Sequence, residues 1–184
     1  KTDIVLDVAT GTGDVAFNLA PHVNHVTGLD IASEMIKIAD QKKDKKKYDN
    51  INFLVGDGEK LPFEDKSFDV VTISFGFRNI AHQEIALTEF NRVLKNNGKL
   101  LILEFSQPKS KFFGMLYKIY SYKIMPFIAS FITQKYAYEY LPESIDMFSN
   151  RHEIKNKLEN ADFRNIEIID MTFGISTIFS GFKN

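Results

Sequence analysis

The stretch Ile4–Asp14, IVLDVATGTGD, decides the fold. A short apolar run, Ile4–Val8, carries Asp7 near its end, passes through a Gly-rich turn and enters a helical pattern over Asp14–Ala20, closed before Pro21. Such a run bounded by a Gly turn reads as a strand buried on both faces. Backbone that must pass close to a ligand is built from Gly because a Cβ would block the approach, which singles out Gly11 and Gly13. The helix start that follows offers free N–H groups to a carboxylate or other anion.

The same alternation continues outward from this stretch. His25–Leu29 reads as a second strand ending at Asp30. Ser33 is placed to cap a helix whose inner face is Met35, Ile36, Ile38 and Ala39 and which runs out in the basic stretch Lys42–Lys47, read as a solvated helix end. Ile51–Val55 is a third strand, followed by Gly56-Asp57-Gly58, and Phe68–Ser74 is a fourth. Ile85–Leu94 has helical spacing, with Asn96-Asn97-Gly98 as its C-cap and turn signal, and Lys99–Phe105 is a fifth strand. Arg151–Ala161 reads as a further helix, and Phe163–Met171 and Ile175–Phe182 as paired strands. Strands alternating with helices mean a doubly wound, mostly parallel α/β sheet of the Rossmann-like class, here with seven strands.

Composition bounds the function. With 184 residues and 44% apolar content, one domain over 1–184 is expected, with a helical insert at about 109–150. A net charge of −1 argues against a dedicated nucleic-acid binder. The absence of cysteine excludes disulfides and thiolate metal sites and fits a reducing, cytoplasmic setting. No spacing suggests a metal site. Lys-Thr-Asp leads straight into the first strand with no leader pattern.

GTGDVA fits the dinucleotide fingerprint G-x-G-x-x-A, with Asp30 near the offset of a ribose acid, so a nicotinamide enzyme is a rival reading. Three features favour S-adenosylmethionine instead. Asp7 lies inside the first strand, where a nicotinamide loop needs no carboxylate but an amino-acid-bearing cofactor brings an ammonium. A third acid, Asp57, follows the third strand, suited to an adenine amine. No Tyr has a Lys four residues on. On this reading Asp7 meets the ammonium directly or through water, and Thr10, Gly11, Thr12 and Gly13 form the loop, Thr12 facing the carboxylate. Asp30 takes both ribose hydroxyls, Ile31 and Met35 sandwich the adenine, and Asp57 and the Gly58 N–H read its edge. Taken singly, each strand-end acid could be a turn residue. Three at one edge of a parallel sheet share the side where such folds bind ligands.

Three further strings are GDGEKLPFEDKSFDVVTISFGFRN (Gly56–Asn79), RVLKNNGKLLILEFSQP (Arg92–Pro108) and YEYLPESI (Tyr138–Ile145). With the loop at Asp7–Asp14 they resemble the ubiquinone/menaquinone-biosynthesis C-methyltransferases, over essentially the whole chain. The resemblance implies methylation of a ring carbon on a polyprenylated quinol, demethylmenaquinol or the ubiquinone precursor. A ring carbon is a weak nucleophile, so a base or polarised water is expected to draw off the neighbouring hydroxyl proton. The family's Arg-Asn pair matches Arg78 and Asn79. Arg78 is too strong a cation to act as a base, and suits lowering the quinol pKa or orienting a water; a salt bridge to a nearby acid is the plainer alternative. The resemblance adds Ser74 as a cofactor contact and Tyr140, with Glu143 and Ser144, as residues of the ring pocket. His82 and His152 are bases by type, but nothing in the sequence pairs either with a carboxylate, and both read as surface residues.

The aromatic run Phe112–Thr133 has two lysines and a Pro, too interrupted for a membrane span, and reads as two amphipathic helices. They either pack as a lid or lie against an anionic bilayer at the inner membrane, where a prenylated substrate resides. The family carries a helical segment before the first strand, expected here to be missing, and a homodimer stays open. Two other readings remain: a methyltransferase of the same fold acting on another small molecule, and a non-catalytic cofactor-binding subunit of a quinone-biosynthesis assembly.

Overall fold

A computed structural model describes residues 2–106 and 151–184. The run Phe112–Thr133 and residues Tyr140, Glu143 and Ser144 lie outside them. Seven strands form one sheet: β1 (Ile4–Val8), β2 (His25–Asp30), β3 (Ile51–Val55), β4 (Phe68–Ser74), β5 (Leu94–Phe105), β6 (Phe163–Met171) and β7 (Ser176–Lys183). Their spatial order is β3-β2-β1-β4-β5-β7-β6. The first five are parallel, and β7 runs antiparallel to both β5 and β6. The helices are α1 (Asp14–Leu19), α2 (Ser33–Lys46), α3 (Gln83–Val93) and α4 (Arg151–Asn160).

Period-two alternation sends side chains to two cores, one on each face. From β1, Val5 joins Ala16 and Phe17 of α1, Ile36 and Ala39 of α2, and Phe53. Leu6 and Val8 point the other way, into a larger core with Phe90 of α3, Ile154 of α4 and Phe179. Asp7 therefore shares the face of Val5. The chain reverses its winding between β1 and β4, so the loops after those two strands diverge and leave a crevice at their carboxyl ends.

Three local expectations change. Ser33 does not cap α2: the cap position is Ala32, whose N–H is met by the Asp30 carboxylate at 2.9 Å. Of the inner face assigned to α2, only Ile36 and Ala39 are buried; Met35 and Ile38 are exposed. Asn96-Asn97-Gly98 is not a helix C-cap but an irregularity inside β5, where pairing jumps from Phe68–Leu94 to Val70–Lys99. Asn97 takes a left-handed φ of 60° there. The α3 terminus is instead closed from β7, where Lys183 Nζ donates to the carbonyls of Asn91 and Leu94 at 2.6 and 2.8 Å.

Ser106 and Arg151, which flank residues 107–150, are joined. Arg151 Nη2 donates to Ser106 Oγ at 3.2 Å, and its Nε donates to Asp170 at 2.7 Å. Ser106 Oγ also meets Thr177 Oγ1 at 2.7 Å.

Candidate functional site

The crevice at the reversal point is a cleft of about 690 Å³, within the size range of small-molecule sites. Among the residues singled out from sequence, Gly11, Asp30, Ile31, Met35, Asp57, Gly58, Ser74 and Asn79 line it. Asp7, Thr10, Thr12, Gly13 and Arg78 stand behind this wall, and Tyr140 lies outside the described residues.

The loop after β1 is built from left-handed backbone: Ala9 at φ 52°, Gly11 at 57° and Gly13 at 82°. At Gly11 a Cβ would meet nothing within 4 Å, so the loop presents bare backbone to the cleft. At Gly13 it would fall 2.6 Å from the Phe53 ring, so that Gly is required by packing as well as by φ. The loop is pinned by Asp30, whose Oδ2 accepts from the Gly11 N–H at 2.8 Å while Oδ1 holds the start of α2. Each oxygen keeps a further lone pair for a ligand hydroxyl. Thr12 turns away: its hydroxyl donates to Asp14 at 3.0 Å and accepts from Lys42 Nζ at 2.6 Å. Lys42 also reaches Asp14 at 2.9 Å, so this first residue of the basic run is tied to the loop rather than solvated.

Asp7 is 1% exposed. Its Oδ2 accepts from the Thr10 hydroxyl at 2.6 Å and its Oδ1 from the Thr72 hydroxyl at 2.8 Å. Burial pushes its pKa up to about 6; the two hydroxyls pull against that, and the nearby Asp30 charge adds to it. Among the described residues no cation meets it.

The opposite wall comes from the loops after β3 and β4. Asp57 Oδ1 accepts from the Glu59 N–H at 2.9 Å. Glu59 in turn holds His82 twice, accepting from its backbone N–H at 2.9 Å and bonding its ring Nδ1 at 2.8 Å. His82 is exposed, as expected from sequence, but it lines the cleft and is paired with a carboxylate that the sequence did not reveal. His152 is exposed on α4 and does not line the cleft. After β4, Phe75 adopts φ 56° and Gly76 packs so tightly on the first loop that a Cβ would lie 2.5 Å from that of Ala9. Arg78 Nη1 donates to the Phe75 carbonyl and to Glu104 Oε1, each at 2.6 Å. Glu104, fully buried at the end of β5, also accepts from the backbone N–H groups of Arg78 and Phe105. Arg78 is thus the anchored half of a buried ion pair, the plainer reading of it from sequence.

Sequence reasoning passed over Glu104 and Glu59. Glu104 was within reach of the strand-end-acid rule that picked out Asp7, Asp30 and Asp57. Glu59 had no such signal, because its partner lies 23 residues away. Among the described residues no group of His, Asp and Glu could hold a metal ion. The donor set fits a nucleoside bearing a charged amino acid: carboxylates at successive strand ends, bare backbone between them, and Ile31 and Met35 exposed on the cleft wall.

The model of the ubiE/COQ5 methyltransferase family matches residues 1–183. The chain is 40% identical to the ubiquinone/menaquinone biosynthesis C-methyltransferase UbiE of Geotalea daltonii, over 97% of the chain and 78% of that protein. It is also 40% identical to the UbiE of Shewanella pealeana, over 97% of the chain and 73% of that protein. Among solved structures, it superposes on a SAM-dependent methyltransferase from Aquifex aeolicus with a TM-score of 0.74 at 20% identity, covering 99% of the chain and 82% of that one. Phosphoethanolamine N-methyltransferase 2 of Haemonchus contortus, in complex with S-adenosyl-L-methionine, gives 0.75 at 17% identity over 100% of the chain and 49% of that one. At these identities the last two report the fold.

Proposed function

Since the chain belongs to the ubiE/COQ5 methyltransferase family, we propose that it methylates a ring carbon of a polyprenylated quinol, demethylmenaquinol or the demethylated ubiquinone precursor. It is an S-adenosylmethionine-dependent C-methyltransferase of quinone biosynthesis. The observation that carries the reading is the 40% identity to UbiE proteins over 97% of the chain.

The cofactor supplies a sulfonium methyl group that needs no acid to release it. The protein's task is therefore positioning and proton management. Asp30 offers its remaining lone pairs to ribose hydroxyls, and Asp57 with the Gly58 N–H faces the adenine edge. Ile31, 72% exposed, and Met35, 42% exposed, supply apolar surface for the flat base. Asp7, wanting a cation, draws the ammonium electrostatically through the Thr10 and Gly11 backbone layer. Asn79 faces the ring oxygen. Arg78 fixes the loop that carries Asn79 through the Phe75 carbonyl and Glu104, which already meets its charge. Tyr140 is assigned to the ring pocket on the family string alone. Among the described residues no helix is long and apolar enough to cross a membrane. A prenyl tail calls for apolar surface, and Phe112–Thr133 is the proposed contact with the bilayer.

The test is methyl transfer to reduced demethylmenaquinone and to the demethylated ubiquinone precursor. Methylated product from either is the expected result. Binding of S-adenosylhomocysteine with no transfer to either quinol, but transfer to another small molecule, would replace the substrate assignment; no transfer at all would favour a non-catalytic subunit. Flotation with anionic vesicles, lost when Phe112–Thr133 is deleted, tests the bilayer contact.

A further inference from the structure

The cleft wall carries a histidine that takes no part in the cofactor contacts proposed above. Deprotonating a quinol needs an acceptor with a pKa near the working pH. His82 lines the cleft beside Asn79. Glu59 grips it at two points, backbone N–H at 2.9 Å and Nδ1 at 2.8 Å, which fixes the ring. The bond from the His82 backbone N–H, and then that from its ring, hold the Glu59 carboxyl below the usual carboxylate range. An ionised carboxylate can only accept, so the hydrogen sits on Nδ1 and Nε2 presents its lone pair. Among the described residues nothing hydrogen-bonds Nε2.

We propose that His82 is the general base of the methyl transfer and Glu59 its positioning residue, an inference that rests on the quinol reading. Nε2 takes the proton of the ring hydroxyl next to the reacting carbon. The O–H bond breaks, and its electron pair stays on oxygen and is shared with that carbon, which forms the new C–C bond as the methyl–sulfur bond breaks. The ring-carbon proton then leaves to water, restoring aromaticity, and the oxygen recovers its proton from Nε2. One proton is released per methyl transferred. Glu59 stabilises the imidazolium in between. The other charges near this pair are Glu84 on α3, bound at 2.9 Å by Lys157 of α4, Asp57, which accepts from the Glu59 N–H on the same wall, and Asp30 elsewhere on the cleft lining.

The experiment is a pH profile of kcat/KM on reduced demethylmenaquinone with the full chain, for wild type, His82→Gln and Glu59→Gln. Wild-type activity is expected to rise with pH through one inflection in the histidine range. His82→Gln should lower kcat about 100-fold and abolish the inflection, with S-adenosylhomocysteine affinity unchanged. Glu59→Gln should lower kcat by about 10-fold and move the inflection to lower pH, because the imidazolium loses its carboxylate. His82→Gln retaining the inflection, or kcat within about threefold of wild type, would overturn the assignment. Wild type that binds S-adenosylhomocysteine but methylates no quinol would instead overturn the reading beneath it.

Discussion

Asp7 and Glu104 occupy comparable places, buried near the carboxyl ends of parallel strands and outside the cleft lining, yet they are served differently. Glu104 receives a guanidinium at 2.6 Å and two backbone N–H groups. Asp7 receives only the hydroxyls of Thr10 and Thr72, and its pKa climbs to about 6. A buried charge is tolerated when a cation accompanies it, and otherwise drifts toward neutrality. Glu104 is therefore a finished piece of structure that holds the loop after β4. Asp7 has no counter-charge among the described residues, and the proposed ammonium contact would supply one. Two carboxylates that look alike in a sequence differ in whether their counter-charge is internal.

The largest effect comes from breaking the finished pair. Arg78→Ala strands the Glu104 carboxylate and should cost about 3–5 kcal/mol in urea unfolding. The double variant Arg78→Met/Glu104→Leu should recover most of it, because the charge leaves with its partner. A single variant within about 1 kcal/mol of wild type would erase the contrast. Activity lost in Arg78→Ala consequently reports structure as well as chemistry.

The unfinished site should respond the other way. The folded-state pKa of Asp7, about 6, lies above its ordinary 3.8. The folded state therefore holds a proton that the unfolded state has released, and stability falls as pH rises from about 4 to about 6. Above that range the ionised carboxylate costs on the order of 2–3 kcal/mol. Asp7→Asn should be more thermostable than wild type at pH 8, lose that advantage by about pH 4, and bind S-adenosylhomocysteine more weakly. Equal melting temperatures at pH 8 would mean that an internal cation serves Asp7 after all.

The smallest effect couples the two regions directly. Gly76→Ala forces two Cβ atoms to within 2.5 Å and should cost roughly 1–2 kcal/mol. Ala9→Gly in the same chain removes one of the two and should restore stability. Additive losses in that double-mutant cycle would show that the loops do not press on each other.

The sheet could be read ahead of the structure because its signal is local. Strands β1, β3 and β4 fall on the expected residues, since short apolar runs between turn residues carry their own boundaries. The ligand loop could be read for the same reason: Gly11 and Gly13 stand where left-handed backbone is needed. What escaped was pairing between distant segments. Glu104 reaches Arg78 because β4 and β5 align Ser74 with Leu103, a matter of register that no window of sequence contains. His82 meets Glu59 only after two loops converge on one cleft. Asn96-Asn97-Gly98 misled because the same residues serve a helix cap and a strand irregularity, and only Lys183, from the far end of the chain, decides between them. Ser33 is not the cap of α2 because the helix starts one residue earlier than a Ser33 cap requires, with Ala32 at the cap and its N–H held by the Asp30 carboxylate from the end of β2.

Ser106 and Arg151 lie one hydrogen bond apart. The α/β body thus holds the two flanks of residues 107–150 together through a side-chain socket. For such a connection the closure cost grows only logarithmically, about 0.6 kcal/mol for each doubling of length. Segments of different length and chemistry can then be exchanged at this socket with little effect on the sheet or the loop after β1.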